Sequence, residues 1–150
     1  MPAEEVTTEP LGIEQLQAMV PSIIRFLSAW GRDRVEVKYG YACNLPIDQL
    51  WRPIEVETLL LEAFVQRSVR DGVFQFGQCD LHIEDPAHTL EFKLSHESDI
   101  YFASTDRSLV DQVTKAWHEQ GLVLYLSEGP QGSAAPKHWR RIDPALPANR

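Results

Sequence analysis

The chain is short of sulfur: Cys43 and Cys79 are its only cysteines, and methionine occurs twice in 150 residues. Neither cysteine belongs to a CxxC pair or to a spaced cysteine–histidine set, so the spacings of a structural zinc site or a disulfide framework are missing. A chain this long buries enough core to fold without such staples. No GxGxxG, P-loop, GxSxG or HExxH pattern occurs either, which removes the motif routes to nucleotide binding and to hydrolysis. The opening MPAEEVTTEPLG has no basic n-region and no apolar h-region, so no secretory signal is expected. The longest helical apolar segment carries Glu14, Gln15, Gln17 and Arg25, so it is not expected to span a membrane. A cytoplasmic protein with reduced thiols is the expectation.

Basic residues are also in deficit, 14 Lys and Arg against 22 Asp and Glu, for a net charge of −8. Lys137, Arg140, Arg141 and Arg150 against Asp143 give residues 129–150 a charge of +3, which leaves −11 on residues 1–128. A body that acidic repels phosphate backbones and anionic lipid, and speeds encounter with basic partners. Nucleic acid is therefore disfavoured as a main ligand.

Periodicity organises the rest. Residues 1–10, acidic and with two prolines, are expected to be a flexible leader. From Ile13 to Trp30 the apolar positions 13, 16, 20, 23, 24 and 27 share one helical face, with Pro21 expected to kink the helix or split off its first turn. A strand is expected over 35–42, then a loop with two prolines and Trp51, then a second helix over about 55–70. Three strands at about 73–84, 89–94 and 99–103 form an expected meander. Ser104, Thr105 and Asp106 offer caps for a third helix that ends at Gly121, and LVLYLS makes a last strand. The order α-β-α-β-β-β-α-β predicts an α+β fold, a mainly antiparallel sheet with helices packed on one face. A single domain over 11–128 is expected, followed by a Pro/Gly/Ala-rich basic tail over 129–150.

The densest titratable stretch is DLHIEDPAHTLEFKLSHESDIYF, residues 80–102, with three histidines and six carboxylates. Strand parity sorts it. The apolar phase changes between Phe74, Phe76 and Leu81, Ile83, so a β-bulge is expected near Gly77. A four-residue turn over 85–88 would pair Ile83 with Leu90, Leu81 with Phe92 and Cys79 with Leu94. It would also set Asp80 opposite Lys93 and His82 opposite Glu91. Ile100 would then meet Leu94, Phe102 would meet Phe92, and Tyr101 would join the polar face.

Three chemical readings compete for that face. His88 and His96 are separated by a strand of roughly 17 Å, so one metal ion cannot take all three histidines, and no metal or other cofactor is expected. General acid/base work by Glu84 and Glu91 would need burial or like charge to push their pKa values apart, which a solvated sheet face does not supply. Binding uses what chemistry leaves idle: the charge of −11, the polar face and the acidic loops EDPAH and SHESD. The tail motif PKHWRR, residues 136–141, fits a phosphate contact, a contact with a partner, or a return onto the acidic body.

In size and charge the chain resembles the small acidic cytoplasmic inhibitors of toxic nucleases and other effectors, immunity proteins being the expected case, although no motif carries the likeness. The expectation is thus a non-enzymatic, protein-binding domain that takes a basic partner through Asp80, His82, Glu84, Glu91, Asp99 and Tyr101. The alternative is a small enzyme or ligand-binding domain with a pocket between sheet and helices, using Glu91, His82 or Cys43.

Overall fold

The computed structural model describes residues 4–127 and 139–142. Eight strands form one antiparallel sheet: β1 (Glu4–Thr8), β2 (Arg34–Tyr39), β3 (Ile54–Glu57), β4 (Leu81–Glu84), β5 (Leu90–Leu94), β6 (Ile100–Ser104), β7 (Leu124–Ser127) and β8 (Trp139–Ile142). Their spatial order is β3-β2-β4-β5-β6-β1-β7-β8. Three helices, α1 (Ile13–Ala29), α2 (Leu61–Arg70) and α3 (Arg107–Glu119), cover one face, as the α+β expectation requires.

The helices sit where their apolar stripes find the sheet. α1 buries Leu16, Val20, Ile23 and Leu27. At its end Phe26 and Trp30 stack toward Phe92 and Phe102. Pro21 lies inside α1 without dividing it. The carbonyl that Pro21 leaves unbonded belongs to the exposed Gln17, so water can replace the missing N–H. α2 stacks Phe64 on Tyr39, whose hydroxyl meets the Ser68 hydroxyl at 2.5 Å. α3 is capped by Asp106, whose carboxylate accepts the Ser108 N–H at 2.9 Å, and it buries Val113 and Trp117.

Four expectations about element bounds need correction. Residues 4–8 are not a leader: β1 lies between β6 and β7, with Val6 fully buried. Trp139–Ile142 of the expected tail pair with β7, while the rest of residues 128–150 lies outside the described residues. The second helix does not begin near Glu55, because Ile54–Glu57 pairs with β2, a 3₁₀ turn follows and α2 starts at Leu61. Residues 73–80 form turns instead of a bulged strand. Phe74 and Phe76 are both buried there, and Gly77 has φ +77 with a would-be Cβ only 2.7 Å from Ser98 Oγ.

The meander keeps its predicted faces and changes one register. β5 and β6 pair Phe92 with Phe102 and Leu94 with Ile100, as expected. β4 and β5 pair Leu81 with Leu94, Ile83 with Phe92 and Glu84 with Glu91, two residues away from the expected register. The cause is the Asp85 side chain, which accepts the N–H groups of Thr89 and Leu90 and widens the turn, with His88 at φ +56. A shift of two preserves side-chain direction, so the apolar face stays inward.

Candidate binding face

The face on which none of the described helices packs, here the helix-free face, carries every second residue of the strands. Register places Glu55, Glu36, Glu84 and Glu91 side by side across β3, β2, β4 and β5. The neighbouring row runs Lys38, His82, Lys93, Tyr101. Like charges directly opposite each other would be unfavourable, and diagonal pairs offset them. Lys38 Nζ lies 3.2 Å from Glu84, His82 Nδ1 lies 3.1 Å from Glu91, and Arg34 lies 2.5 Å from Glu55. His88 bridges two glutamates, its Nδ1 2.7 Å from Glu84 and its Nε2 3.7 Å from Glu36. Burial pulls the Glu84 carboxyl up, but hydrogen bonding with His88, Glu91 and Lys38 outweighs it and holds the group below its ordinary value. Hydrogen bonding to Glu84 raises the His88 imidazole.

Aromatic side chains stand among these charges. Lys93 Nζ lies 4.2 Å from the centroid of the Tyr101 ring, and Trp139 meets Tyr101 edge to face at 6.0 Å. Trp51, 53% exposed, packs its ring 5.0 Å from His82. Tyr41, 60% exposed, packs 4.6 Å from His96. The Trp51 placement depends on Gly40, which follows β2 beside Asp80: a Cβ there would come within 2.9 Å of Trp51 Cη2 and of His82 Nε2. Trp51 itself takes φ +66, an outlier for a bulky residue that the packing of its ring over Gly40 maintains.

The six residues expected to bind a partner divide into two sets. His82, Glu84, Glu91 and Tyr101 share the helix-free face, as parity required. Asp80 and Asp99 are buried and act from beneath it. Asp80 Oδ1 accepts the backbone N–H of His96 at 2.7 Å and holds His96 Nδ1 at 2.8 Å, so it orients the histidine on which Tyr41 rests. Asp99 Oδ1 has no hydrogen-bond partner among the described residues. Burial pushes the Asp99 carboxyl above its ordinary value, Ser95 and Tyr101 pulling it back. Burial and the Asp99 charge in turn raise the Tyr101 phenol.

That shift has a sign. Because the folded state holds the Asp99 proton more tightly than the unfolded chain, its contribution to stability falls as pH rises from the ordinary carboxylate value through the raised one. Asp99→Asn is therefore expected to raise the urea midpoint at pH 7 and to raise it less at pH 4.5. A lower midpoint at pH 7 would show that the ionised group is held by favourable contacts.

Trp51, Tyr41 and His96 were not among the expected site residues. For Trp51 the available signal was Gly40, a glycine in the expected strand 35–42, since such a glycine marks close approach; Tyr41 and His96 had none.

The enzymatic alternative called for a pocket that uses Glu91, His82 or Cys43. A cavity of about 260 Å³ between α1 and α2 is lined by Gln17, Val20, Glu62, Val65, Gln66, Val69 and Phe76. A second, of about 380 Å³, lies beside β3 and includes Tyr39, Leu45 and Ile54. Neither is lined by Glu91, His82 or Cys43. Cys43 is buried with its Sγ 3.3 Å from the Asp80 carbonyl, and burial together with Cys79 pushes its thiol up to about 12. A thiol so rarely ionised is a poor nucleophile at neutral pH. Among the described residues no three His, Cys, Asp or Glu side chains are grouped to hold a metal ion, and no helix is long and apolar enough to cross a membrane. The chain matches no family model, no curated protein and no solved structure.

Proposed function

We propose that this protein is a non-enzymatic binding domain that takes a basic protein partner on the helix-free face of its sheet, an immunity-type inhibitor of a toxin or effector being the expected form. The observation that carries this reading is the pairing of exposed, braced aromatics with a row of glutamates. Trp51 and Tyr41 are held by His82 and His96, so they lose little freedom on docking, the property that makes such rings binding anchors. The glutamate row next to the His82 that braces Trp51, on a body of charge −11, supplies attraction and orientation. The glutamates are partly neutralised by Arg34 and Lys38, so charge on this face sets encounter and register while the aromatics hold the complex. A small enzyme with a pocket between sheet and helices draws less support, because the residues it would use line neither cavity.

The test is kinetic. A stoichiometric partner recovered from the host extract is expected to associate more slowly as salt rises, and Glu36→Lys with Glu91→Lys is expected to slow association about tenfold or more at low salt. Trp51→Ala is expected to speed dissociation by about 30-fold. Unchanged rates in both variants would remove this face from the interaction.

A further inference from the structure

We infer that the free edge of β3 is a strand-addition site for an extended segment of a partner protein in which basic and apolar residues alternate. β3 is the terminal strand of the sheet, and β2 is its only partner among the described strands. The Thr58 N–H bonds the Asp33 carbonyl at 2.8 Å, in phase with the register that pairs Val35 with Val56 and Val37 with Ile54. Hydrogen-bonded pairs alternate along an antiparallel ladder, so Ile54 and Val56 spend their backbone groups on β2. The N–H and C=O of Glu55 and the N–H of Glu57 therefore point away from the sheet, a template of three groups for another strand, while the Glu57 C=O caps the 3₁₀ turn that follows. Pro53 has no N–H, which ends the template on that side.

The side chains define what fits. Glu55 and Glu57 lie together on the helix-free side, where an added strand would bring every second residue beside a carboxylate. Arg34 engages Glu55 on one flank only. On the helix side stand Ile54, 37% exposed, and the cavity of about 380 Å³ that it shares with Tyr39, Leu45, Pro53 and Val73. Leu59 and Leu60, 79% and 55% exposed, follow directly in the 3₁₀ turn after β3. An entering strand thus meets carboxylates on one side and apolar surface on the other, the two-sided specificity of strand addition. A second copy does not suit the edge. Two-fold antiparallel pairing of β3 with itself would set Glu55 against Glu57, and directly opposed like charges are destabilising.

This site shares Glu55 with the helix-free face but uses the backbone edge of β3, which docking on that face does not engage, so the two can be tested apart. The probe is the labelled hexapeptide Lys-Val-Lys-Val-Lys-Val, titrated into the full chain and followed by anisotropy and by amide exchange. Binding is expected to slow exchange at the Glu55 and Glu57 amides. N-methylation of one alternate set of peptide residues is expected to weaken binding at least tenfold, and the other set is expected to have a smaller effect, because only one row of peptide N–H groups can face β3. Glu55→Lys with Glu57→Lys is expected to weaken it at least tenfold as well, whereas Glu36→Lys with Glu91→Lys is not. Absence of binding, or binding equally affected by either methylation set, or exchange unchanged at Glu55 and Glu57, would overturn the assignment.

Discussion

Replacing Asp85 by alanine is expected to cost about 2–4 kcal/mol of stability, read as a lower urea midpoint with an unchanged slope. The carboxylate is 2% exposed at the head of the β4–β5 turn. Its Oδ1 accepts the Thr89 N–H at 2.7 Å and the Leu90 N–H at 3.1 Å, and its Oδ2 accepts the Thr89 hydroxyl. Alanine would strand these donors, and each buried donor without an acceptor costs about 1–3 kcal/mol. Arg32, with Nε 3.6 Å from Oδ2, adds less because its side chain is 32% exposed. Asp85→Asn keeps one carbonyl acceptor and is expected to lose about half as much. A loss below about 1 kcal/mol for alanine would mean that the turn closes without its side-chain clasp.

The same clasp shows where local sequence information ran out. Alternation assigned the faces of β4, β5 and β6, because burying Ile83 and Phe92 requires it, and a register shift of two residues leaves faces unchanged. It could not choose between registers that differ by two. That choice belongs to Asp85, whose hydrogen bonds reach four and five residues forward. In β5 and β6 the apolar pairs Phe92–Phe102 and Leu94–Ile100 sufficed to set the register.

Three strands escaped for a related reason. EEVTT has a single apolar residue, IEVE continues into a helical pattern, and WRRI reads as part of a basic tail. Each is a strand because a neighbour distant in sequence offers its ladder: β1 is received by β6 and β7, β3 by β2 and β8 by β7. Strand pairing is non-local, and tertiary context overrides weak local preference. At the candidate face, parity placed His82, Glu84, Glu91 and Tyr101 correctly. It said nothing of Trp51, which reaches that face from a loop by lying over Gly40. Nor did it show that His96 and Asp80 are joined across a separation of 16 residues.

Phe92→Ala is expected to be the most destabilising change considered, at about 3–5 kcal/mol. Phe92 is fully buried at the middle of β5, opposite Ile83 on one side and Phe102 on the other. Its ring lies 4.6 Å from Phe102, 6.1 Å from Phe26 and 6.3 Å from Trp30, so it joins α1 to the meander. Alanine removes those contacts and leaves a cavity that residues on several elements cannot close together. Phe92→Leu, which keeps most of the volume, is expected to cost less. The neighbours Glu91 and Lys93 point to the opposite face, which separates stability from binding. Under conditions where Phe92→Ala is fully folded, partner affinity is expected to stay within about twofold of the parent's, whereas Trp51→Ala is expected to change stability by less than about 0.5 kcal/mol and affinity by far more. Urea titration and binding measured on both variants give four numbers. If Phe92→Ala lost affinity in proportion to stability while Trp51→Ala lost none, the binding surface would have to be sought on the helical side of the sheet.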